Sequence, residues 1–468
     1  MIYAIEWNNH PILKNLHLDF SSTHGAYNTI ILAGENGTGK TSILNDLATF
    51  LNLRNFSFVK MSYSVNGKKF EISSKQESDR LHGFHYRADL DNNEKSPEYI
   101  QTCHNVNREE IVSDLNDIRH YGCVFSKAKS GFTTKPVTSS ATSQLNESKY
   151  DIDENEDYTS IKQLLVDLDT QDSADLKQAL INHIFESGDD AEEFKKNFFN
   201  SSRMKRFQTA FDTFFDDLKF SRIDNNDPSE KKVLFKKGDE EIPVDSLSTG
   251  EKQIVFRGTS LLKNANNIQN GIVLIDEPEL SMHPKWQQKI LNFYRALFSN
   301  EMGQFAQIII ATHSDYIVKS AFEQNDEVTV ISLIKNVPNG IVAKKINSSP
   351  ILPTISFAEI NYKTFGIYST DFHNALYGHL QEIAISENPD NCQEKSFDQW
   401  LSSKGCVQDR NWIAIKKGVA QPARPSTLQT YIRNTIHHPE NTHNSGYNEE
   451  ELKTSTEEMI KILEAIGH

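Results

Sequence analysis

An α/β fold organised around a phosphate-binding loop is what this 468-residue sequence predicts, and three observations predict it. The stretch Gly34-Glu35-Asn36-Gly37-Thr38-Gly39-Lys40-Thr41 fits G-x-x-x-x-G-K-[ST], between a β-rich run from Thr29 to Ala33 and helical spacing from Ser42 to Ala48. Ile272-Val273-Leu274-Ile275 is a continuous apolar run that ends in Asp276 and Glu277. A second such run, Ile308-Ile309-Ile310-Ala311-Thr312, has His313 just past its end. Runs of this kind read as central parallel strands buried on both faces, and open α/β sheets take ligands at strand ends.

Composition narrows the class. The length allows roughly two to three domains. With 64 acidic against 49 basic side chains the formal charge is −15, so the whole molecule does not draw nucleic acid or anionic membrane by charge. The four cysteines, Cys103, Cys123, Cys392 and Cys406, form no C-x-x-C pair, which argues against a disulfide framework or a zinc ribbon and suits a reducing compartment. No apolar run approaches the ~20 residues of a membrane span, and Met1 to Trp7 lacks the pattern of a signal peptide. A cytoplasmic protein without membrane contact is expected.

The elements follow in order. Residues 1–50 read as strands, the loop and a helix, the N-terminal part of a head. Residues 51–229 read as an insertion, mixed at first, with a hairpin around Asn66-Gly67, and helical later. Within it, 133–160 is rich in Ser, Thr, Asn, Asp and Glu and is expected to be a flexible acidic linker. Phe207, Phe211, Phe214, Phe215 and Leu218 fall on one face of a helix, a pattern read as core packing. Residues 230–350 carry the two central strands and complete the head, and 351–468 reads as a mainly helical C-terminal region.

The chemistry predicted for these motifs is that of a nucleotide. Backbone N–H groups of Asn36, Gly37, Thr38, Gly39, Lys40, Thr41 and Ser42 can close around phosphate oxygens at a helix N-terminus, with Lys40 reaching the β- and γ-phosphates. Thr41 offers a hydroxyl to Mg²⁺. Asp276 is placed to coordinate the same ion, and Glu277 to accept a proton from the water that attacks the γ-phosphate.

Leu247-Ser248-Thr249-Gly250-Glu251-Lys252-Gln253 is similar to the signature motif of ABC-type ATPases, and the order of motifs matches too. Phosphate loop, signature, Asp-Glu strand, Glu279 to Pro284 as the D-loop, and His313 as the switch histidine resemble the split heads of the RecF, SMC and OLD-like ATPases. That resemblance implies ATP and Mg²⁺ as cofactors and a composite site. Ser248, Gly250 and Glu251 would meet the nucleotide of a facing protomer, making a homo-oligomer through the heads, while Lys40, Glu277 and His313 act in their own head. One part of the family pattern is missing: Tyr121 to Lys129 occupies the place of the Q-loop strand and carries no glutamine.

The C-terminal third leaves readings open. Residues 51–229 are too short and irregular for the long coiled-coil arm of SMC proteins, and no D-x-D pair follows His313, which disfavours an in-chain Toprim nuclease. Arg433 and His438 fit R-x4-H, the motif of HEPN ribonucleases; the bland alternative is a helix end stopped by Pro439. A head with a modest insertion, no nuclease of its own and a helical tail resembles the PtuA ATPase subunits of Septu anti-phage systems. Such a resemblance implies a separate HNH nuclease subunit (PtuB-like), and nucleic acid contacted by the complex. A C-terminal ribonuclease and a RecF-like DNA repair ATPase are the alternatives.

Overall fold

The computed structural model describes residues 1–468 except 24, 93–94, 102–107, 129–133, 140–149, 153–157, 187–193, 195–197, 200–201, 228, 264, 325, 337–339, 348 and 468. The chain divides into two compact units, Met1–Lys345 and Ile346–His468.

A seven-stranded sheet organises the first unit. In chain order its strands are β1 (Thr29–Gly34), β2 (Cys123–Ser126), β3 (Tyr150–Ile152), β4 (Ile272–Asp276), β5 (Gln307–Thr312), β6 (Val328–Asn336) and β7 (Gly340–Lys345), arranged β3-β2-β4-β5-β1-β6-β7. All neighbours pair in parallel except the β6–β7 hairpin. Every residue of β1, β4 and β5 is buried, as strands covered on both faces must be. The C-terminal ends of β1, β2, β4 and β5 lie side by side, and this edge carries the motifs.

A second sheet of six antiparallel strands runs His17–Asp19, Ile2–Glu6, Lys60–Val65, Lys68–Ser73, Phe84–Asp89, Glu98–Gln101. The predicted hairpin is there: Val65 pairs with Lys68, and Asn66 and Gly67 both take positive φ, the two-residue turn this dipeptide favours. Helix α1 (Lys40–Leu51) shares a core with both sheets through Leu44, Leu47 and Phe50, joined by Trp7, Phe58, Phe125 and Leu274.

Residues 51–229, expected as an insertion, supply β2 and β3 to the central sheet as well as four strands of the second one. Cys123–Ser126 is only four residues long, and a pattern so short carries no periodicity of its own. Its place is set by pairing with β3 on one side and β4 on the other. The expected linker 133–160 falls largely outside the described residues; where it is described, Tyr150–Ile152 is β3 and Tyr158 opens α2 (Tyr158–Glu186).

The aromatic stripe is core, with Phe207 and Phe211 fully buried and Phe214 and Phe215 each 2% exposed. Helix α3 (Arg203–Phe214) nevertheless stops before the predicted Leu218, which enters the core from the strand Leu218–Asp224. Asp216 and Asp217 follow the helix end, where its dipole disfavours negative charge. Next come α4 (Thr249–Lys252), one π-turn over Gln253–Arg257, α5 (Pro284–Leu297) and α6 (Asp315–Phe322).

The second unit is mainly helical: α7 (Phe357–Phe365), α8 (Thr370–Glu387), α9 (Glu394–Ser403), α10 (Leu428–His437) and α11 (Glu449–Ala465). Ser356, Ser369, Thr427 and Asn448 cap four of these helices by accepting from a first-turn N–H. Phe372, Leu376, Leu380, Phe397, Leu401, Met459 and Leu463 form its core.

Candidate functional site

The loop from Gly34 to Thr41 joins the end of β1 to the start of α1. Gly34 could not carry a side chain, because a Cβ there would lie 2.5 Å from the Leu333 carbonyl oxygen. Gly37 (φ 77°) and Gly39 (φ 81°) take the left-handed conformation that reverses the chain into the helix. The Thr38 hydroxyl donates to the Glu35 carbonyl at 2.8 Å and fixes the turn. No side chain caps α1, so its leading N–H groups at Lys40, Thr41 and Ser42 remain open to an anion.

Lys40 folds back over the loop. Its Nζ donates to the carbonyls of Gly34 at 2.8 Å and Glu35 at 3.0 Å, and lies 3.5 Å from His313 Nδ1. Burial pushes its pKa down to about 8, an effect that Glu277 and Asp276 partly oppose. A negatively charged ligand would restore the full charge.

The strand-end carboxylates converge on the same place. Thr41 Oγ1 donates to Asp276 Oδ2 at 3.0 Å, while Asp276 Oδ1 is buried without a protein partner. Burial also raises the Asp276 pKa. Glu277 sits at φ 42°, a strained conformation for a residue with a side chain, and its Oε1 lies 3.4 Å from His313 Nε2. Burial and the nearby Lys40 charge lower the His313 pKa, against the pull of Glu277.

The signature residues form a capping box on α4. Ser248 Oγ accepts from Glu251 N at 3.3 Å, and Glu251 Oε2 accepts from Ser248 N at 2.8 Å. Glu251 also pairs with Lys237 at 2.6 Å. Gly250 is pressed against the D-loop and α5: a Cβ there would lie 2.9 Å from the Ser281 carbonyl oxygen and 3.0 Å from the Trp286 ring. Among the described residues no hydrogen bond or ion pair joins Ser248, Gly250 or Glu251 to the phosphate loop.

Sequence reasoning missed Arg257 and placed Glu279 only as the first residue of the D-loop stretch, and both hold this edge together. Arg257, 1% exposed, donates to Ser126 Oγ (2.9 Å), Ser126 O (3.1 Å), Asp276 O (2.8 Å) and Glu277 O (3.1 Å), tying β2 to β4. The signal was a lone arginine closing the apolar run Ile254 to Phe256. Glu279 Oε1 accepts from the Thr312 hydroxyl at 2.8 Å and from His313 N at 2.7 Å, fixing the backbone that presents the histidine. Among the described residues, β2 is followed by Lys127 and Ala128 and not by a glutamine.

In the second unit, Arg433 and His438 are engaged separately. Arg433 Nη1 donates to Asn434 Oδ1 at 3.0 Å and lies 3.7 Å from Glu394, with its guanidinium over the Tyr377 ring. His438 follows the last residue of α10 and pairs with Glu440 at 3.4 Å. Among the described residues nothing bonds the arginine to the histidine.

A mainly parallel sheet that brings a glycine-rich loop with Lys40, an Asp-Glu strand end and His313 to one edge, with a serine-capped helix at Thr249–Lys252, resembles the arrangement of an ABC-type ATPase head. The chain resembles the Septu protein PtuA of Bacillus thuringiensis, with 25% identity over 306 residues covering 62% of this chain and 67% of that one. It is also similar to the "Retron Vc95 probable ATPase" of Vibrio cholerae serotype O1 biovar El Tor, at 30% over 141 residues. A third relative is the "Retron Ec83 probable ATPase" of Escherichia coli, at 33% over 150 residues. These two matches cover 26% and 29% of this chain, and span only 26% and 24% of the retron proteins' own lengths. The family described as "AAA domain, putative AbiEii toxin, Type IV TA system" matches residues 135–319. Among solved structures, the SMC head domain from Thermotoga maritima aligns with TM-score 0.38 and 11% identity, over 74% of this chain and 99% of that one. The SmcHead bound to the C-winged helix domain of ScpA aligns with TM-score 0.41 and 13% identity, over 74% and 97%.

Proposed function

We propose that the chain is the ATP-binding and hydrolysing regulatory subunit of an anti-phage defence complex. In this reading it oligomerises through its heads and gates a partner HNH nuclease in the cytoplasm. The observation that carries it is the convergence of Lys40, the Thr41–Asp276 pair and the Glu277–His313 pair on one edge of the sheet. The likeness to a Septu protein and two retron ATPases supports the defence setting.

The loop N–H groups and Lys40 bind and orient the triphosphate. The residues fit a magnesium ion: the Thr41 hydroxyl and the buried, partnerless Asp276 Oδ1 would hold it, and a hard cation with few protein ligands suits that set. When bound, it neutralises charge on the phosphate oxygens. Glu277 takes the proton of the attacking water, and His313, held in place by Glu279, senses the γ-phosphate. Ser248, Gly250 and Glu251 complete the site of a facing head, which agrees with their having no bond to the loop of their own. ATP then joins the heads.

The test is a pair of measurements on purified chain and on chain co-expressed with an HNH subunit. Mg²⁺-dependent ATP hydrolysis lost in Lys40→Ala, and nuclease activity of the co-purified complex that changes with nucleotide, are expected. No hydrolysis by wild type, or a nuclease indifferent to both nucleotide and Lys40→Ala, would sink the reading.

A further inference from the structure

Away from the nucleotide edge, α3 and α5 flank a groove of about 830 Å³. Phe214, Phe293 and Phe305 give it an apolar, aromatic lining, and three cations, Lys205, Arg206 and Lys289, border it. Among the described residues no aspartate or glutamate lines it, in a chain whose net charge is −15. Lys289 reaches out to Asp216 at 3.0 Å, a pair between exposed side chains that a ligand can displace cheaply. Burial holds the Arg206 guanidinium below the usual arginine range. The volume suits a small organic ligand.

We propose that this groove binds a small organic anion with a flat, apolar ring system and a phosphate or carboxylate group, and that its occupancy is felt by the signature helix. The path is short. Phe214 of the groove touches Phe293 (ring centroids 5.0 Å) and Trp286 (6.1 Å), and Trp286 is the ring packed on Gly250. A ligand that parts α3 from α5 therefore moves the side chain that covers Gly250. The consequence for ATP rests on the nucleotide reading above; the binding itself does not.

The probe is 8-anilinonaphthalene-1-sulfonate, an aromatic anion whose fluorescence rises in apolar sites, titrated into the full chain. One saturable site is expected, retained in Lys40→Ala and weakened at least tenfold in Lys205→Glu and in Ala296→Trp, which fills the groove from its wall, with Tm unchanged in both. Displacement by AMP assigns a phosphate-bearing ligand, and displacement by indole-3-acetate a carboxylate. A shift in tryptophan emission on binding, absent in Trp286→Phe, is expected from the coupling. Binding that is not saturable, that survives both groove variants, or that neither competitor displaces would overturn the proposal. Probe binding without hydrolysis would leave the groove standing and count against the ATPase reading alone.

Discussion

The guanidinium of Arg257 donates to the main-chain carbonyl of Asp276 at 2.8 Å, and through the same nitrogen to the Ser126 carbonyl at 3.1 Å. One buried side chain thus sets the spacing of the two strand ends beside the phosphate loop. Arg257→Ala leaves carbonyls and a hydroxyl without donors in a site closed to water. A loss of about 2–4 kcal/mol is expected in urea unfolding. Arg257→Lys should recover only part of it, since an ammonium cannot span both strands from one plane. A loss below about 0.5 kcal/mol for the alanine variant would show that the clamp is not needed.

Lys40 gives a pH signature. Its folded pKa is about 8 against an ordinary 10.5. Between these values the unfolded chain holds a proton the folded chain has released, so stability rises with pH through that window. Below pH 8 the full cost of burying the charge is present. Ligand-free Lys40→Met should therefore have the higher Tm at pH 7, with the gap closing as pH rises through 8 towards 10. A gap constant with pH would contradict the shifted lysine.

Glu277→Gln keeps the shape of the side chain and removes its basicity. Hydrolysis should fall about 10²–10³-fold while ATP still binds, so a larger species should accumulate with ATP in light scattering. A variant that stays monomeric with saturating ATP would speak against assembly through composite sites.

Complementation separates the two halves of such a site. Lys40→Ala should empty its own head and Ser248→Arg should spoil the facing one, so each variant alone is inactive. Mixed in equal amounts, random pairing in a two-fold dimer leaves about a quarter of the sites intact, and about that fraction of wild-type hydrolysis should return. No recovery would remove the trans role of Ser248.

Holding the histidine is the part assigned to Glu279. Glu279→Ala frees the Thr312 hydroxyl and His313 N–H from their shared acceptor, and a tenfold or greater drop in kcat with a smaller change in KM is expected. An equal rise in KM with unchanged kcat would instead point to a role in binding.

By itself the sequence determined the elements whose physics is local. A glycine loop between a strand and a helix, apolar runs ending at Asp276 and His313, and the Leu247 to Gln253 stretch that resembles a signature motif are each written in contiguous residues, because backbone conformation and periodicity act over a few positions. The tertiary structure alone decided what lies between them. Strand β2, four residues long, took its exact bounds and neighbours from pairing with β3 and β4, and Arg257 gained its role by reaching Ser126, 131 positions away, and the carbonyls of Asp276 and Glu277. The groove of Phe214 and Phe293 exists because two helices far apart in the chain pack with unequal side chains, and no pattern within either helix records the other. Local order fixed which residues make up the loop and the strand ends, and long-range packing fixed what holds them in place and which surfaces lie beside them.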